Sequence, residues 1–349
     1  MREPCLILAL FALAACSTTT PPPTPEPLAA CVEPLAGLPT ELTCTGLYAG
    51  ASTDAIAADV MTYQPGVLLW SDGAEKKRFL HLPAGTQIDT SNMDAWKFPV
   101  GTKAWKQFKI DGKLVETRLI WKRTPAKWDV GTYIWNADQT GATLNTAPKG
   151  VFLQNKYEIP TVKDCDKCHH GGSDTLLGVE AVALALPTAQ GTTLTTLAQA
   201  GWLSHAPTST TIEFPQDATG KAGQALGYLH ANCGMPCHST RGLGEETQLV
   251  LRLRASEFWP DGAQGGTPQV DARQTDIWKA AVNQLPKTAS VAQKFPGAFR
   301  ITPGAHEKSL VWLVSHLRGN YQMPPLVSHV IDEDGTKKLA DWIDSLPPQ

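Results

Sequence analysis

The chain has 349 residues, with 30 Lys and Arg against 33 Asp and Glu, a net charge of -3, and 42% hydrophobic residues. That charge balance gives no case for a nucleic-acid partner, and the length is ample for two domains, each with a hydrophobic core. Past the N-terminus no run approaches the roughly 18 apolar residues of a membrane-spanning helix, so the body of the protein is expected to be soluble.

The start of the chain is a short positive segment at Arg2, an apolar run from Cys5 to Ala15, and then Leu13-Ala14-Ala15-Cys16. The run is too short to span a bilayer, and residues 1–15 read as a secretory signal. Leu-Ala-Ala-Cys resembles the lipobox of bacterial lipoproteins, which implies cleavage before Cys16 and a diacylglyceryl group on its thiol. The alternative is an ordinary signal with an incidental Cys. Residues 16–30 are then the lipidated Cys and a Thr/Pro-rich tether. Ser17, where an Asp would retain the protein, suggests an outer-membrane anchor facing the periplasm or the cell surface. Of eight Cys, six remain once Cys5 leaves with the signal and Cys16 is lipidated. Outside the cytoplasm each needs a covalent explanation.

Residues 31–159 have a β texture. Cys31 and Cys44 bracket a Pro/Gly-containing loop, and a disulfide between them would stabilise the domain entrance by ~3 kcal/mol. Val67 to Trp70, Arg78 to Leu82, Trp105 to Ile110 and Leu119 to Trp121 are strand-length apolar runs divided by Gly, Pro and Asp turn signals. Asp111-Gly112 is a hairpin signal. Six of the eleven Trp lie between Trp70 and Trp135, which suits the strand faces of an antiparallel, sandwich-like domain. Lys and Arg outnumber Asp and Glu between Lys76 and Lys127, as a docking face for an acidic partner or as solvated outer faces of strands.

From residue 160 to 349 the texture turns helical, with a boundary near Ile159-Pro160. Cys165-Asp166-Lys167-Cys168-His169 is a Cys-x-x-Cys-His motif: two thiols a helical turn apart add to the two vinyl groups of haem, and the next His comes beneath the iron. A thioredoxin-like dithiol would need a βαβ context that is absent. Cys233-Gly234-Met235-Pro236-Cys237-His238 is a second such site with one extra residue between the thiols, or a Cys233-Cys237 disulfide. Met323, in Gln322-Met323-Pro324-Pro325, is the candidate distal ligand opposite His238, against the alternative of a gap-filling core Met. For the first haem His205 is the candidate; His81, His230 and His329 are rivals, and His170 points elsewhere on its helix.

The pattern as a whole resembles a family of bacterial dihaem c-type cytochrome lipoproteins. The resemblance rests on Leu69 to Lys76, Phe98 to Thr102, Glu116 to Leu119, Tyr133 to Asn136, Cys165 to His169, Asn232 to His238, Met323 to Pro325 and Leu339 to Leu346. It covers most of the mature chain and departs from the family in the three-residue spacer of the second site. It implies an α+β fold, an N-terminal antiparallel β domain followed by a mainly helical cytochrome c-like domain at about 218–349. It supplies neither a substrate nor a partner. The motifs themselves predict haem c, two copies or at least one, and so an electron carrier whose redox protein partner is unknown, with no small-molecule substrate evident. Two rivals stand beside that expectation. One is a dihaem peroxidase or oxygenase with an open iron position. The other is a structural lipoprotein whose cysteines form disulfides or whose Cys165, Cys168, Cys233 and Cys237 hold zinc.

Overall fold

A computed structural model describes residues 31, 34–153, 157–169, 174–259 and 270–348. Cys16 and the rest of the expected signal and tether, together with His170, lie outside the described residues. Cys31 and Cys44 are both disulfide-bonded, while Cys165, Cys168, Cys233 and Cys237 are thiols.

Six strands follow one another through the first half: β1 Met61–Gln64, β2 Glu75–His81, β3 Lys103–Ile110, β4 Lys113–Thr124, β5 Lys127–Trp135 and β6 Ala142–Leu144. Each pairs antiparallel with the next, as alternating side chains and short turns require. Between β3 and β4 the Asp-Gly pair turns the chain as expected. Asp111 and Gly112 both take positive φ, 49° and 76°, and Ile110 faces Lys113 across the turn. A separate two-stranded hairpin, β7 Val151–Leu153 with β8 Tyr157–Ile159, follows.

The second half contains α1 Val162–His169, α2 Ala181–Ala185, α3 Leu194–Gln199, α4 Ala222–Leu229, α5 Asp276–Ala281, α6 Ala289–Lys294, α7 Leu310–His316 and α8 Glu333–Ser345. It also returns one strand, β9 Gln190–Gly191, to the free edge of β1, so the sheet has seven strands in the order β6-β5-β4-β3-β2-β1-β9. The fold is α+β around one antiparallel sheet, with no second large sheet among the described residues to make a sandwich.

Strand alternation sends side chains to two different cores. On one face Phe79, Trp105, Leu119 and Tyr133 pack with Leu42, Leu47 and Tyr48 from the segment before β1. The indole N–H groups find partners there, Trp105 Nε1 donating to Thr45 Oγ1 at 3.0 Å and Trp135 Nε1 to Thr117 Oγ1 at 2.9 Å. On the other face Leu80 and Ala104 join a cluster with Val182, Leu186, Leu226 and Trp342 from the helical half. The change of texture at Ile159-Pro160 is therefore not a break in the packing: one core runs across it. α4 and α8 pack closely, and Gly335 permits it, since a Cβ there would lie 2.1 Å from the Tyr228 ring.

Candidate functional site

The first motif is helical throughout. Thr161, after Pro160, caps α1: its backbone N–H and hydroxyl donate to Asp164 at 3.2 and 2.6 Å, a reciprocal cap three residues into the helix. Cys165, Cys168 and His169 stand three and four positions apart, hence on one helix face, and that face turns to the interior. His169 Nδ1 lies 2.9 Å from the Thr175 carbonyl, so Nδ1 carries the proton and Nε2 is left as the lone-pair nitrogen. Burial holds the imidazole neutral, lowering its pKa to about 4. Thr175 is itself fixed by its neighbour Asp174, which accepts from Phe98 N–H at 2.9 Å, from Lys122 Nζ at 2.6 Å and from Trp128 Nε1. The sheet thus sets the orientation of the motif histidine.

The second motif absorbs its extra residue in the backbone. α4 passes directly into a π-helical segment, His230–Gly234, in which Met235 N–H bonds His230 C=O at 2.8 Å and His238 N–H bonds Cys233 C=O at 2.8 Å, both five residues back. With one additional residue per turn, His238, five positions after Cys233 where His169 is four after Cys165, can still lie near the same face as its thiols. Gly234 sits where a Cβ would be 2.2 Å from the Leu251 carbonyl, so the wider turn is pressed against a neighbouring strand-like segment. His238 is 9% exposed. Burial lowers its pKa, partly offset by a hydrogen bond to the Leu249 backbone, and its Nδ1 lies 3.3 Å from the Thr247 hydroxyl, which itself donates to Gly244 C=O at 2.6 Å.

Both motifs open on one cavity of about 400 Å³, walled by Val67, Leu69, Leu176, Leu249 and Val311 among others, and by the inner face of the sheet. Cys165, Cys168, His169, Cys233, Cys237 and His238 all reach it. The Cys237 thiol donates to Cys168, which draws Cys168 down to about 7 and pushes Cys237 up. Burial pushes Cys165 upward and Cys233 up to about 12. Met323 reaches the same cavity from the loop between α7 and α8, its N–H bonded to Val314 C=O at 2.8 Å. Gln322 shapes that loop, its amide N donating to the Pro324 and Ser328 carbonyls at 2.9 and 2.8 Å.

The structure does not bring His205 to the cavity: it is exposed, and its ring bonds the Ser204 hydroxyl at 2.9 Å. The sequence distance from the first motif points to it, but the pairing of Leu203 with Ile88 and the hydrogen bonds of Thr90 to Ser204 and His205 hold that segment against the loop after β2 instead. His81 lies 3.1 Å from Asp59 and His329 2.9 Å from Glu158, both away from the cavity. His230 does line it, yet both ring nitrogens are engaged. Nδ1 accepts from Leu253 N–H at 3.0 Å, and Nε2 faces Glu180 at 3.4 Å, a carboxylate that also caps α2. Among the described residues no group of three or more His, Cys, Asp or Glu is arranged to hold a metal ion.

Two residues outside the motifs have site roles that composition did not reveal. Asn232 accepts from Trp70 N–H at 2.6 Å and donates to Leu68 C=O at 3.3 Å, locking the second motif to the Leu68 to Ser71 loop. Asp72 in turn accepts from His329 and Val330 N–H, each at 3.0 Å, and so anchors the far side of the Met323 loop. The excess of Lys and Arg divides: Lys77, Lys97, Lys113 and Lys127 are exposed, as solvated faces require. Arg78 and Lys122 are each 5% exposed and point inward rather than to solvent or a docking partner.

The donor set fits covalently held haem. Each motif offers two thiols and an imidazole on an apolar-walled cavity within the usual size range of cofactor pockets, and each imidazole has its Nδ1 oriented by a second group. Comparison with family models, with curated proteins and with solved structures gave no match.

Proposed function

We propose that the chain is an exported, lipid-anchored c-type cytochrome that holds two haems and passes electrons to a protein partner. The observation that carries this reading is the convergence of both Cys/His motifs and Met323 on one cavity. In this reading Cys165 and Cys168 form thioethers to one porphyrin and Cys233 and Cys237 to the other. His169 and His238 each present Nε2 to iron, their Nδ1 atoms held by Thr175 and Thr247. Met323, which lines the same cavity, would supply the second protein ligand to the haem held by His238, and a thioether there would favour the reduced state relative to a second imidazole. When bound, haem supplies one-electron chemistry; the chain's contribution is to fix ligand identity, exclude water and set the local charge. The α4 and α8 pair supports the cytochrome c-like arrangement of the second half, with the motif following one helix and the other packed back on it. Cys16 supplies the lipid and the outer-membrane anchor.

Intact mass of protein matured with haem-attachment machinery, followed by peptide masses across 165–169 and 233–238, tests the proposal. Two haem additions, one on each peptide, are expected. Peptides free of any tetrapyrrole adduct overturn it and leave the disulfide or zinc-clip readings.

A further inference from the structure

The inner face of the sheet carries a row of basic side chains that faces the haem-attachment motifs. The register aligns Arg78 of β2 with Lys106 of β3, and Lys106 with Arg118 of β4, so three cations stand directly opposite one another on adjacent strands. Like charges placed so are destabilising in an antiparallel sheet. Only Arg118 has an acidic partner, Glu116, with nitrogen to oxygen distances of 2.6 and 2.9 Å. Arg78 is 5% exposed and its Nη1 has no hydrogen-bond partner. Among the described residues neither Arg78 nor Lys106 has an ion pair. All three side chains face the cavity that the Cys/His motifs share.

A buried guanidinium without a partner costs the desolvation of that group, and protonation of Lys106 between two guanidinium groups adds mutual repulsion. Such an arrangement persists when an anion completes it. The planar fork of Arg matches the two oxygens of a carboxylate, and Lys adds a point charge beside it. Burial and the neighbouring Arg78 and Lys76 cations push the Lys106 amine well below its ordinary range, a pressure that a bound carboxylate would relieve.

We propose that Arg78, Lys106 and Arg118 form a carboxylate-binding site on the cavity wall. The carboxylate is either a porphyrin propionate or a soluble carboxylate anion admitted to the cavity. The first source rests on the haem reading above; the second does not.

The experiment uses the full-length protein matured with haem, together with Arg78→Gln and Lys106→Gln. Intact mass first records haem attachment, which separates failure of that reading from failure of this one. Resonance Raman then reads the propionate bending band, and calorimetry reads succinate binding. If a propionate is the occupant, both variants shift the band and succinate shows no saturable binding to the wild type. If a soluble carboxylate is the occupant, succinate binds the wild type saturably and each variant weakens it at least tenfold, with the Raman band unmoved. An unmoved band together with no saturable succinate binding overturns the site. Where no haem is attached, the succinate result alone decides. Should Arg78→Gln fail to fold, Lys106→Gln, at a less buried position, carries both readouts.

Discussion

Glu116 is fully buried, and its two oxygens are shared between the Arg118 guanidinium and the Tyr157 hydroxyl. Desolvation and the adjacent carboxylate push the Tyr157 phenol upward, so it stays a donor. Removing the acid would leave a largely buried guanidinium unpaired. Glu116→Ala is therefore expected to lower stability by about 3 kcal/mol, the lower end for a broken buried pair because Arg118 keeps some contact with water. Urea denaturation at neutral pH checks this; a loss under half of that figure would mean the pair is not what holds the strand face. Lys76 makes a different prediction. Burial, reinforced by Arg78 and Arg118, lowers its amine from 10.5 to about 7, while the unfolded chain keeps the ordinary value. Between pH 7 and 10 the unfolded state thus binds a proton that the folded state does not, and this group's contribution to stability rises with pH across that window. Lys76→Met should flatten the rise in melting temperature between those pH values, and an unchanged slope would assign it to other groups.

At the scale of elements, β2, β3, β4 and the turn between β3 and β4 were legible because period-two alternation and an Asp-Gly turn are local signals, whereas Val67 to Trp70, an apolar run of strand length, is a loop, and β5 carried no such run. The π-helical segment was not, since hydrogen bonds five residues back leave no periodicity in so short a stretch. The extra residue of the second motif could be seen in the sequence, but not how the backbone takes it up. Gly234 is the residue on which that solution depends, because the Leu251 carbonyl occupies the space of any Cβ. Gly234→Ala must push the π segment and the Leu251 segment apart, at a cost of roughly 1–3 kcal/mol for overpacking. The expected signature is selective: haem mass is retained on the 165–169 peptide and reduced on the 233–238 peptide. Equal loss from both would show that the substitution acts through global unfolding rather than through the turn. The motif residues were legible for the same reason as the hairpin, being contiguous, whereas the inward turn of Arg78 and Lys106 depends on which sheet face the helical half covers.

For the whole molecule, the texture change at Ile159-Pro160 marked where strands give way to helices, yet it carried no information about packing. Leu80 and Ala104 share a buried cluster with Val182, Leu186 and Leu226, 78 to 146 residues away in sequence, which no local pattern encodes. β9 closes the β1 edge, Gly66 N–H bonds Ala183 C=O at 2.9 Å, and Ile88 is bonded on both sides to the Trp202 and Ser204 backbone at 2.8 and 2.9 Å. A chain ending at residue 159 would lose all of these together. It would expose the buried Leu80 and Ala104 side chains and an unpaired edge strand, a combination that drives association between sheets. The 31–159 fragment is accordingly expected to aggregate or to lack a near-ultraviolet circular dichroism signal, even with its cysteines oxidised. The longer chain should melt in one cooperative transition seen alike by tryptophan fluorescence and far-ultraviolet signal. A soluble fragment with a cooperative melt and fixed aromatic signals would instead establish the β half as an independent domain, with the cavity formed at an interface between two bodies rather than within one core.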